Sequence, residues 1–286
     1  MLPKLKIQAL LRAVQNTAGE MPRSKAAEHL SHELGFGRIA GRRWLLNDAD
    51  RERISAYLRE VERIEPATPA NAWQGVGRID AARLGANEKL AGQKPRDGRV
   101  AVRAPLGLHL GLRRLELPQG SFLDLPVSKD IMFGHGVVIV VENFEAFIHY
   151  EAALHAPHSY TDPLLVYRGD AVNPPSAVTA LLRRCCTGKT ILMWPDFDPA
   201  GIKIATAMNN CAGVIAPADP YAALASAGRP DLFLAQQREY LSLATAAMDE
   251  DKEEWPELFD AMRVHRAGLD QETMIARQLP LCVWPR

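Results

Sequence analysis

The sequence predicts an α/β fold, in which a parallel sheet flanked by helices follows a smaller, mainly helical N-terminal domain. Two observations lead to this prediction. Strand-like and helix-like segments alternate between residues 136 and 217, as they do in parallel sheets covered by helices. Residues 1–65 instead show apolar positions at helical spacing. A chain of 286 residues is long enough for two such domains.

Residues 1–65 are expected to form a winged-helix or helix-turn-helix unit. The stretch "PRSKAAEHLSHELGFGRIAGRRWLL" reads as a helix, a glycine-containing turn and a second, basic segment. A further helix then begins at Asn47 or Asp48. The basic segment contains three candidates for contacts with DNA phosphates, Arg38, Arg42 and Arg43. A plain helical bundle with a solvated basic face is the alternative.

Residues 66–130 are expected to be a basic connecting region with short strands. The region begins with the Pro/Ala-rich stretch "EPATPANAWQG" and continues with many glycines and arginines. Short apolar runs at 100–104 and 106–117 predict its strands.

Residues 131–286 are expected to form the catalytic domain with a helical C-terminal extension. The run 137–141 is continuous and β-branched, which is typical of a strand buried on both faces. Further strands are predicted in "PLLVYRGDAV", "KTILMWPDFD" and "AGVIAP", with a helix before each of them. Residues 218–286 read as largely helical.

Three acidic residues follow the predicted strands. Glu142 ends one strand, and Asp196 and Asp198 end a later one. Ligands of open α/β sheets bind at the carboxyl ends of the strands, so the three carboxylates are expected to share that edge. A hard divalent cation such as Mg²⁺ would relieve their mutual repulsion. The alternative is that Asp198 caps the following helix and Asp196 is a solvated loop acid.

The net charge of zero conceals an asymmetry. Residues 1–120 carry 21 basic and 13 acidic side chains, and residues 121–286 carry 13 and 21. A basic half that holds a polyanion and an acidic half that holds metal would explain this difference, and ordinary solvated surface is the alternative. Four cysteines without metal-ligand spacing predict reduced thiols in a cytoplasmic protein. No apolar run is long enough to predict a membrane span.

The order of these motifs resembles the Toprim domain of topoisomerases, primases and related nucleases. The resemblance covers residues 136–217, where a Glu follows the first strand and an Asp-x-Asp follows a later one. The stretches "VVENFEAFIHY", "YRGD", "WPDFDPAGIKIA" and "HRAGLDQETMIA" resemble the Toprim subunit of Wadjet (Mks-type) plasmid-defence SMC systems, which is distantly similar to the A subunit of type VI topoisomerases. The sequence departs from that pattern at Trp194-Pro195, where an aromatic residue followed by glycine is expected.

The resemblance implies a DNA endonuclease that depends on Mg²⁺ or Mn²⁺ and works with a condensin-like SMC–kleisin complex. It implies cleavage of double-stranded DNA, and cutting both strands predicts a homodimer. Glu142 is then a metal ligand or general base, and Asp196 and Asp198 are metal ligands at the strand end. Glu145 and Glu272 are further candidate metal ligands. Lys189 and Lys203 are candidates for contacts with phosphate. Glu145 as a helix-surface acid and the lysines as solvated side chains are the alternatives.

Other functions are less consistent with the sequence. A non-cleaving adaptor with a degenerate Toprim fold stays open. A type VI topoisomerase-like enzyme needs a nucleophilic tyrosine, and the only tyrosine before residue 140, Tyr57, reads as a helix-packing residue. The position two residues after Asp198 is Ala200, which disfavours a haloacid-dehalogenase phosphatase, and "CCTGKT" lacks the first glycine of a P-loop.

Overall fold

The computed structural model describes residues 2–85, 90–92, 96–127, 130–150, 162–250 and 255–286. The chain divides into two compact units, Met1–Asp97 and Gly98–Arg286. Each unit has its own core of buried hydrophobic side chains.

The N-terminal unit combines helices with a small antiparallel sheet. Its helices are α1 (Lys4–Gln15), α2 (Lys25–Leu34), α3 (Asp48–Tyr57), a π-helical turn (Leu58–Glu62) and α4 (Arg78–Leu84). Its strands are β1 (Glu20–Pro22), β2 (Arg38–Ala40) and β3 (Arg43–Leu45), in the order β1-β3-β2.

The local sequence explains the limits of these helices. Ser24 caps α2 by accepting a hydrogen bond from the Ala27 amide, and Asn47 forms a reciprocal capping box with Asp50 at the start of α3. Gly35 ends α2 in the left-handed conformation. The basic segment after this turn is the hairpin β2–β3 and not a second helix. The described part of this unit therefore has a wing-like hairpin at the place where a helix-turn-helix would have its second helix. Of the two expected topologies, this agrees better with the winged helix.

The C-terminal unit is built on a seven-stranded sheet. Its strands are β4 (Arg99–Arg103), β7 (Leu123–Pro126), β8 (Val137–Val141), β9 (Leu164–Tyr167), β10 (Thr190–Trp194), β11 (Cys211–Pro217) and β12 (Leu281–Pro285). They lie in the order β12-β11-β10-β8-β9-β4-β7. The four central strands are parallel, and β12, β4 and β7 pair antiparallel at the two sides. A separate hairpin joins β5 (Leu108–Leu110) to β6 (Arg113–Leu115).

The predicted alternation of strands and helices is confirmed for the central strands. The helices are α5 (Phe144–Ile148), α6 (Pro175–Cys185), α7 (Pro199–Thr206), α8 (Pro220–Ala227), α9 (Pro230–Ala235), α10 (Gln237–Glu250), α11 (Pro256–His265) and α12 (Gln271–Ala276). The C-terminal segment is helical as expected, except that it ends in β12, which extends the sheet beside β11. None of the helices in the described part of the chain has the length and apolar character needed to cross a membrane.

The expected domain limits differ from those of the structure. The boundary at Asp97–Gly98 lies inside the region 66–130, which was expected to connect two domains. Strand β4 pairs with β9, and β7 pairs with β4, so the second part of that region belongs to the sheet. The physical reason is burial: Val100 and Val102 are enclosed in the core of the C-terminal unit.

We predict that residues 98–286 fold when produced alone, whereas residues 131–286 do not reach the same stability. The shorter fragment lacks β4 and β7, so it exposes the edge of β9 and part of the core. Urea unfolding followed by circular dichroism would compare the two fragments. Equal unfolding midpoints would contradict the boundary seen in the structure.

Candidate functional site

Three neighbouring strands bring charged side chains to one edge of the sheet. Glu142 follows β8, Arg168 follows β9, and Asp196 lies two residues beyond the end of β10. Because β8 lies between β10 and β9, Glu142 occupies the middle of this row. Its Oε1 lies 3.2 Å from Nη2 of Arg168, and its Oε2 accepts a hydrogen bond of 3.2 Å from the Asp196 amide.

Helix α12 supplies a fourth group through Gln271, whose side chain is completely buried. Its Nε2 donates to the Trp194 carbonyl at 2.9 Å, and its Oε1 accepts from the Asn143 amide at 2.7 Å. The Gln271 backbone amide donates to Oδ1 of Asp196 at 2.9 Å. Gln271 therefore connects the ends of β8 and β10, and we call its three hydrogen bonds the Gln271 brace.

Glu272 lies next to this brace at the exposed end of α12. Its Oε1 accepts a hydrogen bond of 2.6 Å from Nδ2 of Asn143. The structure thus brings Glu272 to the same edge of the sheet as Glu142 and Asp196.

Asp198 has a different position from its neighbour. It caps α7, where its Oδ1 accepts from the Gly201 amide at 2.8 Å and its Oδ2 accepts from Nε2 of Gln236 at 2.7 Å. The residue is only 3% exposed. The capping alternative is therefore correct for Asp198, whereas Asp196 is half-buried in the site and not a solvated loop acid.

Gly201 allows the turn after β10 to close tightly. A Cβ atom at this position would lie 2.2 Å from the carbonyl oxygen of Asp196, a distance at which the backbone must move. The glycine of the Asp-x-Asp-Pro-x-Gly pattern therefore lets the start of α7 pack closely against the backbone of Asp196, which fixes the position of Asp196 after β10.

The electrostatics of the site are dominated by partly buried carboxylates. Burial is the largest cause of the raised pKa of Asp196, which is about 7, and the charges of Glu142, Asp198 and Glu272 raise it further. The hydrogen bond from the Gln271 amide acts in the opposite direction and lowers this pKa. Burial also raises the pKa of Glu142, although Arg168 acts in the opposite direction. Burial likewise raises the pKa of Asp198. Negative charge is therefore in excess at this edge.

The donor set suits a hard cation that keeps part of its water shell. Glu142 and Asp196 are neighbouring oxygen donors, and within the described part of the chain the hydrogen bond that the Asp196 carboxylate accepts, from the Gln271 amide, goes to Oδ1. Mg²⁺ is commonly held by one or two carboxylates together with water. Among the described residues, no three His, Cys, Asp or Glu side chains are grouped closely enough to hold a metal ion by themselves.

Three other predicted site residues lie away from these acids. Glu145 is exposed and pairs with His149 at 3.5 Å, in agreement with its reading as a helix-surface acid. Lys203 is an exposed residue of α7. Lys189 precedes β10 at the opposite edge of the sheet, where its Nζ donates to the carbonyls of Phe133 and His135. Lys189 therefore lies at the amino ends of the strands, away from the acids, and its contact with phosphate stays a prediction.

The predicted arginines belong to the hairpin of the N-terminal unit. Arg38 and Arg42 are exposed, and Arg43 forms an ion pair with Glu20. They form a basic surface on that unit.

The sequence interpretation missed several residues of the site. Arg168 could have been found, since a charged residue that follows a buried strand is placed at the same edge as Glu142. Asn143 was expected only to cap the following helix, which it does at α5, and Gln271, in the last of the quoted motifs, was given no separate role. Gln236, which holds both Asp198 and the Ala200 amide, lies in a segment with no recognisable pattern.

The fold and the site define an α/β protein with an acidic site at the carboxyl edge of its sheet. A family model described as "Domain of unknown function (DUF7281)" matches residues 97–283. The match covers more than half of the chain, so the chain belongs to this family. It spans almost all of the C-terminal unit and includes every residue of the acidic site. No curated protein matches the chain.

We predict that Asp196→Asn removes a pH dependence of stability in metal-free buffer. Because the pKa of Asp196 is about 7 in the folded protein and near 4 when unfolded, its contribution is fully present below pH 4 and lost as the pH rises through 7. The stability of the variant relative to the wild type should rise by up to about 4 kcal/mol from pH 4 to pH 8. Urea unfolding in EDTA would measure the unfolding free energy of both proteins at each pH. Parallel curves of unfolding free energy against pH would contradict a raised pKa of Asp196.

We predict that Gln271→Met, which keeps the volume of the side chain, costs about 1–3 kcal/mol of unfolding free energy. It leaves the Asn143 amide without its partner and removes one of the two hydrogen bonds to the Trp194 carbonyl, which also accepts from the Glu142 amide. Glu272→Gln, at an exposed neighbour, should change stability by less than about 0.5 kcal/mol. Urea unfolding would measure both variants, and similar losses would show that the brace is unimportant.

Proposed function

We propose that the protein is a DNA endonuclease that depends on Mg²⁺ or Mn²⁺ and hydrolyses phosphodiester bonds. The observation that carries this proposal is the hydrogen bond from the Asp196 backbone amide to the Glu142 carboxylate, which brings the two acids to adjacent strand ends where burial and the charge of Glu142 raise the pKa of Asp196 to about 7. Carboxylates held together with excess negative charge favour a divalent cation.

The chemistry assigns separate roles to the residues. When bound, the metal ion would neutralise charge on the phosphate and lower the pKa of a coordinated water. Glu142 and Asp196 would hold it, with Glu272 at the exposed side. Glu142 can also accept the proton of the attacking water, since burial raises its pKa towards the working range of a general base. Gln271 and Gly201 keep Asp196 in position.

The N-terminal unit supports binding to the DNA backbone. Arg38 and Arg42 project from an exposed β-hairpin, and arginines of this kind contact phosphates without reading bases. Binding should therefore be independent of sequence and should weaken as salt rises.

Hydrolysis is better supported than cleavage through a covalent tyrosine intermediate. Tyr57 packs against Phe36 with ring centroids 5.5 Å apart, and its hydroxyl donates to Oε1 of Glu62 at 3.3 Å. Burial and the Glu62 carboxylate raise the pKa of Tyr57, which makes it a poorer nucleophile. These contacts agree with a packing role.

The biological setting in this proposal rests on the resemblance to Wadjet-type Toprim subunits. On this proposal the protein acts in the cytoplasm with a condensin-like SMC–kleisin complex, as a homodimer that cleaves plasmid DNA.

A non-cleaving DNA-binding adaptor is the second candidate. The capping position of Asp198 favours it, because both carboxylate oxygens already accept hydrogen bonds.

We predict that supercoiled plasmid is nicked or linearised with Mg²⁺ or Mn²⁺ and is left intact with EDTA. Glu142→Gln and Asp196→Asn should each lower the rate by about 100-fold or more, because each removes a metal ligand or base. Glu145→Gln and Lys203→Gln are matched controls on exposed helix positions, and their rates should stay within about twofold of the wild type. Agarose gel electrophoresis of the plasmid would follow the reaction.

Two results would separate the candidates if the isolated protein is inactive. Cleavage that appears only with the SMC complex and ATP would support a gated nuclease. Absence of cleavage under those conditions, with DNA binding intact, would reject the nuclease in favour of the adaptor.

A further inference from the structure

A cavity of about 570 Å³ lies between α6 and α7, against strand β10. This volume falls within the usual range for sites that bind small molecules. Apolar side chains from both helices and from the strand form most of its surface: Val178, Leu182, Ile191, Ile204 and Met208.

The charged groups at the cavity are all positive. Among the described residues that line it, only Arg168 and Arg183 carry a charge. Arg168 follows the carboxyl end of β9, whereas Arg183 lies in the last turn of α6, which returns the chain to the amino end of β10. The two arginines therefore come from opposite ends of the elements that surround this apolar space.

Arg168 is the better anchor for an anion. Its side chain is 28% exposed, and Nη2 contacts Glu142 at 3.2 Å. Its Nε is buried and has no acceptor among the described residues, so the protein groups described do not use all five donors of this guanidinium. Arg183 is instead an exposed side chain at the helix surface, where water can satisfy its donors.

We propose that this cavity binds a small amphipathic anion, with an apolar body about the size of a medium-chain fatty acid and one acidic group that Arg168 receives. The apolar surface between the helices accommodates the body of the ligand, and the two arginines exclude a cationic head group. Binding at this site does not require the protein to cleave DNA, so its test is independent of the proposed nuclease.

Titration of the full chain with decanoate in EDTA tests the proposal, with 1-decanol as the uncharged probe of equal chain length. Calorimetry should show that decanoate binds at least about tenfold more tightly than decanol, because the charged end gains hydrogen bonds to Arg168. Arg168→Gln should weaken decanoate by about tenfold and change decanol little. Arg183→Gln should leave decanoate within about threefold, because this exposed arginine is not the anchor.

Filling the cavity provides the second arm of the experiment. Ile204→Trp should abolish binding of both probes. Thr179→Trp places the same bulk at an exposed lining position and serves where the first variant does not fold, as checked by circular dichroism.

Three outcomes would overturn the proposal. They are equal affinity for decanoate and decanol, loss of decanoate binding in Arg183→Gln with none in Arg168→Gln, and no binding of either probe to the folded wild type.

Discussion

The buried side chain of Gln271 is the interaction on which the acidic site depends. Strand ends in an α/β sheet are joined only by their own backbone ladder, and the loops beyond them are free to separate. Here the amide of one glutamine bonds to Trp194 at one strand end and to Asn143 at the next. Its backbone also orients Asp196, 75 positions earlier in the chain. The positions of Glu142 and Asp196 relative to each other are therefore set by hydrogen bonds that come from a distant part of the chain.

That constraint explains how the protein tolerates so much negative charge in a half-buried place. Carboxylates repel each other, and burial removes the water that would screen them. The hydrogen bonds from Gln271, from the Asp196 amide and from Asn143 offset part of this cost, and Arg168 supplies the nearby positive charge. These contacts leave the raised pKa values of Asp196 and Glu142 as the remaining sign of the electrostatic cost.

Much of the α/β unit could be predicted from the sequence, because buried parallel strands such as β8 and β10 are continuous apolar runs and their carboxyl ends share one edge. The role of Asp198 as the N-cap of α7 was also one of the two alternatives that the sequence offered, the other being a metal ligand. Long-range pairing was beyond local patterns: nothing near β4 shows that it joins β9, and nothing near Lys189 shows which carbonyls it meets. The contacts of Gln271 and Gln236 are of this kind, since each joins segments far apart in sequence.

The late position of Gln271 in the chain has a consequence for protein synthesis. A nascent polypeptide that has emerged as far as α7 already contains Glu142 and Asp196, and its strands β8 and β10 can pair. The antiparallel bridge between Phe197 and Leu269 and the brace behind it form only when the segment near residue 270 arrives. During translation the acids are thus present long before they are held in register, so the order of synthesis delays the completed site until the fold around it is nearly finished.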